Sequence, residues 1–206
     1  MCVETRKKLD GFNQIADYNN YLAFIFTKLV DPSKINTRQL AGITLKNNMV
    51  KFMRDLHPDV QSYVLNAVVN CFDDPNDSIR STVGTVVASV LQVRTLDDWP
   101  GLSERFFSSL ESDNLFLLDG VLSCLLKICE DYGARYSARS EIPQSLTRFI
   151  INLVPHLERF LTVPQEPFRY YSLSSLSILL QFFPTCMNVV FDSFIEVCIP
   201  SSLELS

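Results

Sequence analysis

Six cysteines, two histidines and a short run of aspartates are the residues whose side chains could do chemistry in this sequence. Their spacing argues against most of it. The cysteines stand at positions 2, 71, 124, 129, 186 and 198, with no CxxC pair, and only His57 and His156 could add imidazole ligands. A zinc site needs four ligands converging from tight spacings, so none is assigned. Cys71, Cys124, Cys129 and Cys198 lie in apolar surroundings, where a free thiol behaves as a small hydrophobe. There is no glycine-rich phosphate loop, GxSxG, HExxH or carboxylate pair beside a nucleophile. The sequence therefore reads as no enzyme, with no catalytic residue, cofactor or metal. His57, just before Pro58, is expected to cap or lie at the surface. His156, beside Glu158 and Arg159, is expected on a partly solvated face. Asp73, Asp74 and Asp77 could hold a cation, but capping of the helix that opens at Ser78 is the simpler reading.

Composition narrows the partners. The 206 residues are 47% apolar and 20% charged, with net charge −5. Mean hydropathy is +0.13 and the pI is about 5.0. Such a chain has a core to bury and is not disordered. It lacks the basic surface that phosphate backbones require, so no nucleic acid is expected and a charged partner should be basic. Residues 1–8 carry no apolar signal core, which points to reduced thiols in a cytosolic or nuclear setting. Residues 170–191 carry no charge, a length that could span a bilayer. Serines interleave with Leu173, Leu176, Leu179, Leu180 and Phe183, however, and Pro184 follows. That is one face of a buried helix, and no membrane insertion is expected.

The elements that must position these residues are helical nearly throughout. Tyr18, Tyr21, Leu22, Ile25, Phe26 and Leu29 repeat every three to four positions before Asp31-Pro32-Ser33 breaks the pattern. Leu40, Ile43 and Leu45 continue through Met49, Phe52 and Met53 to Pro58. Val60, Tyr63, Val64, Ala67, Val68 and Cys71 form a third stripe, and Ile79, Val83, Val86, Val87, Val90 and Leu91 a fourth. Asp97-Asp98-Trp99-Pro100 opens a fifth helix with acidic caps, and Trp99 is expected to pack between hairpins. Further helices are expected over 114–132, 143–163, 166–183 and 187–199. No stretch alternates with period two, so the chain is all-α.

Related signatures open the second helix of successive pairs. Arg38, Arg80, Leu118 and Arg169 share a register at intervals of 42, 38 and 51 residues. That period belongs to HEAT or armadillo-like helical hairpins stacked as an α-α superhelix. The arginine is expected to bridge to a neighbouring loop or repeat, while Ala41-Gly42 and Gly84 allow close helix approach. The chain reads as one solenoid segment of four to five hairpins, incomplete at both ends. The hairpins fall at about 3–54, 58–93, 97–133 and 141–183, with the start of another at 187–199.

Several segments resemble the β-karyopherins, the importin-β-like nuclear transport receptors. They include Asp17-Tyr18-Asn19-Asn20-Tyr21-Leu22, Arg38-Gln39-Leu40-Ala41-Gly42, Leu45-Lys46-Asn47-Asn48, Ile79-Arg80-Ser81-Thr82-Val83-Gly84, Trp99-Pro100-Gly101-Leu102 and Ile128-Cys129-Glu130-Asp131. In order, they extend from residue 5 to about 183. The resemblance implies an N-terminal region that binds the GTP form of a Ran-like small GTPase. In the full receptor it implies cargo and nucleoporin binding, with shuttling between cytoplasm and nucleus. Lys46, Asn47 and Asn48, at the end of the first second-position helix, are the GTPase-binding candidates there. Glu130 and Asp131 are candidates too, expected at a helix C-terminus, where negative charge is disfavoured unless a basic group compensates. A HEAT scaffold of a larger complex without GTPase affinity is the other reading.

Overall fold

The computed structural model describes residues 11–12, 15, 17–136 and 141–188. Among them there is no strand. The helices are α1 (Tyr18–Lys28), α2 (Ile35–Phe52), α3 (Pro58–Val69), α4 (Asp77–Val93), α5 (Leu102–Leu110), α6 (Leu115–Tyr136), α7 (Gln144–Arg159), α8 (Glu166–Phe182) and the short α9 (Pro184–Met187). Two 3-10 turns, Pro32–Lys34 and Met53–Asp55, flank α2. The chain divides into two compact units, 1–93 and 94–206. The helix expected over 3–16 and most of that over 187–199 lie outside the described residues.

In the first unit, α1 pairs with α2 and α3 with α4, and the pairs stack so that α1 meets α3 and α2 meets α4. The buried face of α1 is Asn19, Leu22, Ala23, Phe26 and Thr27. That is the expected helical spacing, but rotated, because Tyr21 is 63% exposed. On α2 the buried face is Arg38, Ala41, Gly42, Leu45, Asn48 and Met49. Leu40 and Ile43, read from the sequence as core, instead point outward at 62% and 44% exposure. A Cβ on Gly42 would sit 2.7 Å from both the Phe26 ring and the Thr82 methyl. Glycine is thus what lets α2 approach α1 and α4 at once. Phe26, Leu45, Met49, Phe72 and Ile79 are fully buried, each such side chain stabilising the fold by about 1.5–3 kcal/mol. The valine-rich α4 is a helix buried along ten positions.

The second unit repeats the plan: α5 pairs with α6 and α7 with α8, while α5 meets α7 and α6 meets α8. Trp99 is buried, as its core reading requires. Asp98 does not cap α5. Its Oδ2 accepts from the Thr95 backbone N–H and hydroxyl, both at 2.9 Å, closing the preceding turn. The position before α5 is Gly101, at φ 81°, a left-handed conformation that favours glycine. α6 starts on Asn114, whose Oδ1 accepts from the N–H groups of Phe116 and Leu117. It runs on to Tyr136, so part of the expected loop over 132–142 is helix. A Cβ on Gly133 would stand 2.8 Å from the Phe182 ring, so α6 and α8 pack closely here. α7 ends at Arg159, short of the expected 163. Arg169 is exposed, and the buried residue opening α8 is Phe168, so the arginine register stops before this pair.

Candidate functional site

Arg38 does what its register suggested. Its Nε donates to the Phe26 carbonyl at 2.9 Å, and its guanidinium pairs with the Asp74 carboxylate in the loop between α3 and α4. One buried side chain thereby ties α1, α2 and the next hairpin together. Arg80 reaches back to the same loop through the carbonyls of Asp74 (2.8 Å) and Pro75 (3.2 Å). Hydrogen bonds at the start of α4 run to Asp74, Asn76 and Asp77, while Asp73 is exposed and shows no capping bond among the described residues. Asp74 Oδ1 accepts from the Asn76 N–H, and Asn76 and Asp77 both accept from the Ser78 N–H at the start of α4. His57 likewise caps α3, its Nδ1 accepting from the Asp59 N–H at 3.3 Å. Among the described residues no cluster of three metal-ligating side chains occurs.

Clamped this way, α2 turns one long face outward. Leu40, Ile43, Asn47 and Val50 follow one another at helical spacing and are all exposed, with Lys46 half-buried beside them. This face is an apolar stripe edged by an amide and an ammonium. Asn48, read from the sequence as exposed, is buried instead. Its Nδ2 donates to Asn19 Oδ1 at 3.0 Å, so it holds α2 against α1. The outward apolar stripe escaped the sequence reading because α2 carries apolar residues on both faces. Only packing distinguishes them.

The second candidate pair lies in the second unit. Glu130 is exposed and Asp131 half-buried, but neither ends a helix, because α6 continues to Tyr136. The argument from an unfavourable helix terminus therefore lapses. Lys127 lies one turn before Glu130. Burial holds its ammonium below the ordinary value, an effect the Glu130 charge partly offsets. Arg135 lies over the Tyr132 ring at 5.9 Å. The described cysteines are free and buried. Burial pushes the Cys71 thiol in the first unit up to about 11 and the Cys129 thiol in the second up to about 12.

His156 is half-buried, in keeping with the partly solvated face expected of it. Its ring stacks on Phe107 at 5.2 Å, and its Nδ1 lies 3.0 Å from Glu111 Oε1, which also pairs with Arg159. The Phe107–His156 stack and the Glu111–Arg159 pair join α5 to α7. Nothing in residue spacing announced them. Glu158 is buried on the same helix, with an Oε1 that has no hydrogen-bond partner, and burial raises its carboxyl above the ordinary value. No described helix is long and apolar enough to cross a membrane.

The described helices thus form stacked hairpins, with clamped loops and an outward apolar face on α2 in the first unit. Residues 5–74 match the Importin-beta N-terminal domain family, a span that includes α1–α3, Arg38 and Asp74. The chain is similar to Transportin of Dictyostelium discoideum, at 28% identity over 94% of this chain and 20% of that protein. It is similar to human Transportin-1 at 29% identity, over 93% of this chain and 21% of the relative. Importin subunit beta-2 of Schizosaccharomyces pombe matches at 25% identity, over 96% of the chain and 21% of the relative. Together these similarities relate the chain to transportins and to importin subunit beta-2. It spans about a fifth of the length of the curated relatives it matches.

Proposed function

We propose that this chain works in nuclear protein import as the GTPase-binding part of a transport receptor. It holds the GTP form of a Ran-type small GTPase by non-covalent contact and catalyses nothing. The observation that carries the reading is the importin-β N-terminal match over 5–74, whose clamped hairpins leave the stripe on α2 open. On this reading Leu40, Ile43 and Val50 supply the apolar centre of the contact, and Lys46 and Asn47 its polar edge. Asn48 acts indirectly by fixing α2 on Asn19. Glu130 and Asp131 offer acidic contacts in the second unit to a basic partner surface. Discrimination between nucleotide states follows from shape, since a partner whose surface changes with its nucleotide binds a rigid face in one state better than in the other.

Cargo and nucleoporins are partners of the whole receptor, and shuttling between cytoplasm and nucleus follows from that role. The expected division of 1–206 into successive HEAT hairpins belongs to the same proposal. A pull-down with Ran loaded with a GTP analogue or with GDP tests it. Capture of the GTP form alone is expected. Equal capture, or none, returns the chain to the reading of a HEAT scaffold without GTPase affinity.

A further inference from the structure

The segment between α4 and α5 sets an exposed hydroxyl in an acidic flank. α4 ends at Val93 and α5 opens at Leu102, so residues 94–101 lie outside any helix. Within them Thr95 is exposed, and so are Asp97 and Asp98, two and three positions on. Among the described serines and threonines only Ser108 shares an acid at the third position, Glu111. Ser108, however, lies inside α5, with its hydroxyl donating to the Arg105 carbonyl at 3.1 Å. The turn at Thr95 closes on Asp98. Thr95 donates to Asp98 Oδ2 from both its backbone N–H and its hydroxyl, each at 2.9 Å, and Arg94 Nη1 donates to the Asp98 carbonyl at 3.1 Å. The next residue is Trp99, only 7% exposed, whose N–H donates to the Leu96 carbonyl at 3.2 Å.

From this arrangement we propose that Thr95 is a phosphorylation site for an acidophilic protein kinase, and that the phosphate opens the turn and loosens Trp99. A kinase needs backbone that it can draw into its cleft, which a surface segment supplies and a residue within a helix does not. Carboxylates at the second and third positions after the hydroxyl complement a basic substrate groove. In the transfer, Thr95 Oγ1 attacks the γ-phosphorus of ATP. The new O–P bond forms as the bond to the β–γ bridging oxygen breaks, ADP leaves, and the hydroxyl proton passes to the kinase's base. The modified side chain no longer donates to Asp98, and it places a charge of about −1.5 to −2 beside that carboxylate. Repulsion drives Asp98 away while the phosphate oxygens draw the Arg94 guanidinium from the Asp98 carbonyl. The bonds that close the turn on Asp98 therefore weaken together. This inference does not rest on the GTPase reading, since the turn lies in the second unit and shares no residue with the stripe on α2.

The chain is incubated with a purified acidophilic serine/threonine kinase and magnesium ATP, and the product is read by fragmentation mass spectrometry. A phosphate on Thr95 is expected. Thr95→Ala should lose it, Ser108→Ala should keep it, and Asp97→Asn should slow its addition about tenfold. Cooperative thermal unfolding first shows that each variant is folded. The turn also carries its own reporter, because Trp99 is the only tryptophan of the chain. In the phosphorylated protein its emission should move to longer wavelength and quench more readily with acrylamide, and phosphatase treatment should reverse both changes. No phosphate on Thr95, or an addition that Asp97→Asn leaves as fast as before, would overturn the site. A phosphate on Thr95 with Trp99 emission and quenching unmoved would overturn the opening of the turn.

Discussion

Arg38 and Asp74 are 36 positions apart in sequence, and their side chains are only 3% and 8% exposed where they meet. A buried pair of this kind punishes the loss of one partner more than it rewards the presence of both. Asp74→Ala would leave a guanidinium in the core with only the Phe26 carbonyl to answer it, and should cost about 3–5 kcal/mol. Replacing both partners with apolar residues, Arg38→Met with Asp74→Leu, should recover most of that loss. Urea unfolding of the three proteins measures the difference. Glu158 makes the opposite case. Its folded carboxyl is raised above the ordinary 4.5 by burial, so the native state keeps a proton that the unfolded chain releases. The associated stability is fully present below pH 4.5 and is lost as pH rises through the folded value. Glu158→Gln, which cannot ionise, should therefore unfold with the wild type near pH 4 and at a higher temperature at pH 7. A variant less stable than wild type at pH 7 would show that the carboxylate is compensated in the fold.

At the scale of the element, Gly42 is where three helices come together. An alanine there must displace the fully buried Phe26 ring and the Thr82 methyl, both 2.7 Å from the new carbon. Gly42→Ala should cost about 1–3 kcal/mol despite the better helix propensity of alanine, whereas Asn47→Ala on the outward face of α2 should cost almost nothing. Thermal unfolding separates the two. These same helices show what a sequence can and cannot disclose. Periodicity located nearly every helix because apolar residues three and four apart have only one way to share a face. It misassigned faces where both sides of a helix are apolar, as on α2, and where polar residues do the packing. Asn19, Arg38 and Asn48 are buried by pairing, and no hydropathy pattern reveals a partner 12 to 36 positions away. The end of α6 was misplaced for a related reason. Glu130 and Asp131 look like a terminus, but Tyr132 and Gly133 continue the buried face against α8.

For the whole molecule, the organising fact is that no single hairpin buries its own apolar face. Each of the two compact units places one pair beside another so that every helix has a neighbour across the layer. What a stack of this kind offers a partner is a row of outward helix faces held in fixed register. The candidate site was legible only to the level of the element. The resemblance pointed to the segment Leu45 to Asn48, and packing then turned Asn48 inward while exposing Leu40, Ile43 and Val50. Whether that face receives a GTPase is measured most directly by hydrogen–deuterium exchange on the chain with Ran added in its GTP-analogue and GDP forms. Slowed exchange over residues 35–52 with the GTP form, absent with GDP, is the expected result. Unchanged exchange there in both states, or equal protection by both nucleotides, would contradict the assignment of α2 as the nucleotide-sensing contact.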